Sequence, residues 1–153
     1  SGRPFPPEPG VPWLPAALWL LLAGALVQTS REVLRADDAE PFLAARRLDA
    51  FLFGAVGVMG TIMLLLWTAT DHAVTGPNWN LLWAWPTHIL AAVAIWRGVQ
   101  GSLTAAYLGA SVGAVMVTLA GWPWLPQTLP ATLVPLLVVL LLRGGIRGVR
   151  ALP

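Results

Sequence analysis

The sequence predicts an all-α integral membrane protein: a helical bundle of about five transmembrane helices, N-terminus outside and C-terminus cytoplasmic. Three observations predict it. Of 153 residues, 57% are hydrophobic and only 10% are charged, against roughly 25% charged in an ordinary soluble domain. The apolar residues come in long runs rather than at amphipathic spacing, and continuous length marks a chain solvated by lipid. All nine basic residues are arginines, and they gather at the ends of these runs.

The segment 1–11 is proline-rich and extended, an extracytoplasmic linker, with residues 3–12 reading RPFPPEPGVP. It has no basic stretch leading into an apolar core, so it does not read as a signal peptide. The expectation is the C-terminal part of a longer protein. The first span, about 12–29, has Pro12 and Pro15 at its start, where proline is tolerated. Its length of about 27 Å just suffices to cross. Residues 30–47 hold Arg31, Glu32, Arg35, Asp37, Asp38, Glu40, Arg46 and Arg47 and read as a solvated loop.

The second span is about 48–70. The segment 71–80, DHAVTGPNWN, is polar and turn-rich. The third span, about 81–96, contains Pro86, which removes one backbone bond and kinks the helix. After a tight glycine turn comes the fourth span, about 103–120. A turn with Trp122, Pro123, Trp124 and Pro126 leads to the fifth and shortest, about 128–142, which Pro135 interrupts. Residues 143–153 read as a basic cytoplasmic tail.

Orientation follows from the arginines. With five spans, Arg31, Arg35, Arg46, Arg47, Arg97, Arg143, Arg147 and Arg150 fall on one side and only Arg3 on the other. The positive-inside rule makes that crowded side cytoplasmic. Trp13, Trp67, Trp79, Trp83, Trp122 and Trp124 then form an aromatic belt at the outer interface. Packing has its own signal. Gly101, Ala105, Gly109 and Gly113 make a four-residue stripe of small side chains on the fourth helix, and Gly54, Gly57 and Gly60 a second on the second helix. Such stripes permit close backbone approach.

Polar side chains are scarce, so each needs a reason. The arginines do not interleave with aromatics on one face, which argues against nucleic acid as a partner. No cysteine is present, so a thiolate nucleophile, a thiolate metal site and a disulfide framework are excluded. No glycine-rich phosphate loop or other cofactor motif appears. The outer loop concentrates what remains: Asp71, His72, Thr75, Asn78 and Asn80, with Thr87 and His88 in the third helix.

Asn80 precedes an apolar run and suits an N-cap. Asp71 beside His72 either ties the loop down or perturbs the imidazole for chemistry, and both readings stand. His88 follows the Pro86 kink, where freed carbonyls can bind it. Asp71, His72 and His88 have no ligand spacing that points to a metal.

The string from Thr70 to His88, TDHAVTGPNWNLLWAWPTH, resembles the C-terminal transmembrane domain of the Lnb-type, lipoprotein N-acyltransferase-like family of bacterial membrane proteins. The residues that carry the resemblance are Gly57, Gly60, His72, Asn78, Asn80, Leu81, Leu82 and Pro86. Ala73 and Trp85 depart from the family pattern, which has proline and asparagine there. The resemblance implies a multi-pass protein of the bacterial inner membrane. It implies a preceding periplasmic domain, papain-like, with a cysteine–histidine active site. It also implies that this chain is the non-catalytic membrane part, working with membrane lipids and a lipoprotein substrate.

Under that reading His72, Asn78, Trp79 and Asn80 contact lipid or the periplasmic domain. The competing readings are a self-contained intramembrane enzyme using Asp71, His72 and His88, and a non-enzymatic membrane anchor or assembly module.

Overall fold

The computed structural model describes residues 13–34, 41–69, 78–127 and 129–152. Five helices run through them: α1 (Trp13–Leu34), α2 (Pro41–Ala69), α3 (His88–Arg97), α4 (Ser102–Gly121) and α5 (Val134–Arg150). Short 3-10 turns lie at Trp79–Leu82, Trp122–Trp124 and Ala131–Leu133, and no strand occurs among the described residues. Four stretches are long and apolar enough to cross a membrane: Trp13–Leu34, Leu43–Ala69, Ser102–Trp124 and Ala131–Arg150. The protein is a multi-pass, all-helical membrane domain.

The third apolar run is not one kinked helix. α3 has 10 residues, about 15 Å, half the hydrocarbon thickness of about 30 Å. Before it the chain makes the 3-10 turn Trp79–Leu82 and then leaves helical geometry through Ala84 and Trp85. Pro86 explains the break: it lacks an N–H, and its ring disfavours the helical region for Trp85.

The carbonyls so freed are met by side chains. The Trp85 indole N–H donates to the Leu82 oxygen at 2.9 Å, and His88 Nε2 lies 3.0 Å from the Trp83 oxygen. Irregular backbone at membrane depth survives only where protein covers it, and α2 supplies the cover. A Cβ on Gly60 would fall 2.0 Å from the Ala84 oxygen, and one on Gly57 would fall 2.6 Å from the Ile89 nitrogen. The two glycines let the broken segment lie directly on the α2 backbone.

The core is continuous around this seam. Phe53 and Val56 of α2, Trp83, Ile95 of α3, Leu108 and Val115 of α4, and Leu137 and Leu140 of α5 are all buried in one cluster. α4 turns the face Ala105, Leu108, Ser111, Val115 and Thr118 inward.

The glycine stripe of α4 corrects the sequence expectation. Ala105 is buried, but a Cβ on Gly101, Gly109 or Gly113 would meet nothing within 4 Å. The glycines that let α4 and α5 approach sit on α5. A Cβ on Gly144 would touch Val112 Cγ2 at 3.1 Å and Phe53 at 3.4 Å, and one on Gly148 would touch Leu108 Cβ at 3.6 Å and the Ala105 oxygen and Gly109 nitrogen at 3.9 Å, so the stripe meets α5 through its backbone at Ala105 and Gly109 only. Gly101 has a backbone role instead: its φ of 145° suits glycine alone, and its N–H donates to the Ala151 oxygen at 2.8 Å.

The first loop and the tail also differ from expectation. α1 continues to Leu34, α2 begins at Pro41, and α5 runs on through Arg143 and Arg147 to Arg150. Glu32, Arg143 and Arg147 are buried, not solvated, and Asp49 of α2 is buried with them. Trp83 is likewise 1% exposed and belongs to the core rather than to an interfacial belt, whereas Trp13 and Trp124 are 66% and 80% exposed. The helices thus present two ends. Trp13, Trp79 and Trp124 mark one. The other gathers Arg31, Arg46, Arg47, Arg97, Arg143, Arg147 and Arg150.

Candidate functional site

At the tryptophan end, Asn78, Trp79 and Asn80 form a compact turn. The N-cap of the 3-10 turn is Asn78, two residues earlier than the sequence suggested. Its side-chain oxygen accepts the Asn80 backbone N–H at 3.1 Å and the Asn80 amide Nδ2–H at 2.9 Å. Asn80 sits inside the turn, 9% exposed, and its Oδ1 has no partner among the described residues. The Trp79 N–H donates to Gln127 Oε1 at 2.9 Å, so the two connections at this end are tied together. Sequence reasoning missed Gln127, since nothing local links positions 48 residues apart. Asp71, His72 and Thr75 lie outside the described residues.

Deeper in the bundle, His88 is 0% exposed. A backbone carbonyl only accepts, so Nε2 carries the proton and donates to Trp83 O, and Nδ1 accepts from the Tyr107 hydroxyl at 2.6 Å. Thr87 Oγ1, 2.9 Å from the same hydroxyl, then donates to it. Phe53, Trp85 and Tyr107 surround the ring, with centroids 5.3, 5.6 and 5.7 Å away. Both imidazole nitrogens are engaged, so neither is available as a general base or a metal ligand while the network holds. No group of three potential metal-ligating His, Cys, Asp or Glu side chains occurs among the described residues. Tyr107 is the only tyrosine of the chain, and a single phenol in an apolar run was the signal that sequence reading passed over.

At the arginine end, a buried ion network clamps three helices. Arg143 of α5 grips Asp49 of α2 through both oxygens, Nε–Oδ1 2.7 Å and Nη2–Oδ2 2.9 Å. It also reaches Glu32 of α1 at 2.6 Å and the Thr29 hydroxyl at 3.0 Å. Arg147 Nε donates to Asp49 Oδ2, and Arg150 pairs with Glu32 at 2.9 Å. Nearby, the Arg47 guanidinium lies 5.5 Å from the centre of the Trp96 ring. Asp49 was missed in the sequence because it opens an apolar run and shares no neighbourhood with the arginines that hold it.

Two cavities open between the helices. One, about 580 Å³, lies at the arginine end between α2, α3, α4 and α5 and is lined by Arg46, Arg147 and Arg150 among others. The second, about 610 Å³, separates α1 from α2 over α5. It is walled by Leu20, Leu21, Phe51, Leu52 and Leu136 and ends at Gln28, Asp49 and Arg143. Its apolar walls suit a hydrocarbon chain and offer nothing to react with one.

Comparison with known proteins adds one finding. Residues 11–150 match a family of five-helix membrane domains described as the Lnb transmembrane domain, which leaves outside only the first ten residues and the last three. No curated protein and no solved structure matches the chain.

Proposed function

Since the chain belongs to the Lnb transmembrane-domain family, we propose that it is the membrane domain of a lipoprotein N-acyltransferase-like protein of the bacterial inner membrane. In this reading it anchors a periplasmic catalytic domain and presents lipid to it. The tryptophan end faces the periplasm and the arginine end the cytoplasm, as the positive-inside rule requires.

The observation that carries the reading is the hydrogen bond from the Trp79 N–H to Gln127 Oε1. It joins the two outer connections into one surface, with Trp79 and Trp124 exposed at the depth where indoles favour the headgroup region. Such a surface is a platform for a docked domain and its lipid. The intramembrane-enzyme reading loses support, because both His88 nitrogens are already bonded.

The test is N-terminal acylation of a lipoprotein by the full-length protein, read by mass spectrometry in cells lacking other acyltransferases. Gln127→Ala, Asn80→Asp and His72→Gln should each lower acylation while abundance and membrane insertion stay normal. Full acylation in all three would overturn the platform and leave a plain anchor.

A further inference from the structure

The cavity at the arginine end has the chemistry of a phosphate site. Three guanidinium side chains line it: Arg46 from α2 and Arg147 and Arg150 from α5, together with Gln100 and Thr104. No carboxylate lines it among the described residues. Arg147 is only 8% exposed; its Nη2 lies 4.0 Å from Glu32 Oε1, an ion pair too long for a hydrogen bond, and has no hydrogen-bond partner among the described residues. Arg46 Nε is also buried without one. A buried N–H without a hydrogen bond is costly even where its charge is balanced, and two such N–H groups on arginines that line one cavity fit an anion that completes them.

The surrounding charge agrees. Arg143, Arg147 and Arg150 share two carboxylates, Glu32 and Asp49. Arg46 adds a fourth cation and has no ion pair among the described residues. Its guanidinium lies over Gly98, where a Cβ would come 2.5 Å from Nη1. Gly98 ends α3 at φ 67°, a conformation that glycine adopts freely. The missing side chain leaves the guanidinium room to reach the cavity.

The rest of the wall decides the source. Leu43 and Val99 also line the cavity and are 45% and 49% exposed. A free inorganic anion gains nothing from such a border, whereas the glycerol and first methylenes of a lipid do. The volume, about 580 Å³, falls in the range of small-molecule sites, roughly 300–1,000 Å³.

We propose that this cavity binds the phosphate of an anionic phospholipid from the leaflet at the arginine end. The site is separate from the outer platform, and it does not depend on the acyl-transfer reading. Arg46, Arg147 and Arg150 hold the phosphate, Gln100 and Thr104 donate to its ester oxygens or glycerol, and the acyl chains run out past Leu43 and Val99.

The experiment uses the whole chain, first purified in neutral detergent and then reconstituted in nanodiscs. Thermal unfolding is followed with phosphatidylglycerol, phosphatidylcholine or inorganic phosphate, and native mass spectrometry counts retained lipid. Phosphatidylglycerol should raise the midpoint and be retained, and neither phosphatidylcholine nor inorganic phosphate should match it. Arg46→Gln should weaken retention about fivefold or more, the factor for one cation near a membrane surface. Thr104→Phe, which fills the cavity and leaves every arginine in place, should do the same.

Arg31→Gln is the control, an exposed arginine at the same end that does not line the cavity. Equal loss in Arg31→Gln and Arg46→Gln would reduce the effect to diffuse surface charge and overturn the site. An inorganic-phosphate shift as large as that of phosphatidylglycerol would overturn the lipid source. Absence of any shift or retention would overturn the proposal entirely. Full acylation in Gln127→Ala, Asn80→Asp and His72→Gln, with lipid retention intact, would count against the platform alone.

Discussion

Arg143 and Asp49, 94 residues apart, meet through two hydrogen bonds of 2.7 and 2.9 Å with neither side chain more than 3% exposed. The pair joins α5 to α2, and the same guanidinium reaches Glu32 and Thr29 on α1. A buried ion pair adds little net stability over a well-packed apolar pair, but removing one member leaves an uncompensated charge that costs about 3–5 kcal/mol. Arg143→Leu and Asp49→Leu should therefore each destabilise by about that amount. The double variant should cost less than their sum. Unfolding in detergent measures all three, and strict additivity would show that the pair is not coupled.

The glycines offer a sharper contrast. Gly60→Val must displace the backbone at Ala84, whose oxygen would lie 2.0 Å from the new Cβ. Overpacking of that kind costs about 1–3 kcal/mol or more. Gly109→Leu enters open space and should change stability by no more than about 0.5 kcal/mol, the usual range for an uninvolved surface. A comparison of thermal midpoints decides it, and equal losses would mean that the α4 stripe is covered after all.

His88 should behave as a structural group. Tyr107→Phe strips the hydroxyl that Nδ1 accepts from and that Thr87 meets. A buried acceptor left unpaired costs about 1–3 kcal/mol. The midpoint should fall accordingly while acylation by the surviving folded protein is unchanged. Loss of acylation at full stability would restore the intramembrane histidine as a chemical group.

The proposed orientation is checked with single cysteines, since the chain has none of its own. A cysteine at Trp124 should react with an impermeant thiol reagent added from the proposed outer side of the membrane. One at Leu152 should react only after the membrane is opened. The reverse pattern would invert the orientation and move the phosphate cavity to the other leaflet.

Membrane class and the approximate course of the helices were legible because both follow from local composition. A backbone in lipid must satisfy its own hydrogen bonds, so each long apolar run becomes a helix whatever its neighbours are. Pro86 announced a disturbance for the same local reason, and the tertiary structure decided that it would be a break held on Gly57 and Gly60 rather than a kink.

What composition could not express is which distant groups meet. The small-residue spacing of Gly101, Gly109 and Gly113 looks like an interface on its own helix, yet the close approach to α4 is made by Gly144 and Gly148 of α5. The charges of the first loop and the tail look solvated one segment at a time. Glu32, Asp49, Arg143 and Arg147 are buried only because folding brings opposite charges from α1, α2 and α5 together. Burying any of them alone would be prohibitive. Which helix lies beside which thus determines where the polar groups go, and no segment carries that information by itself.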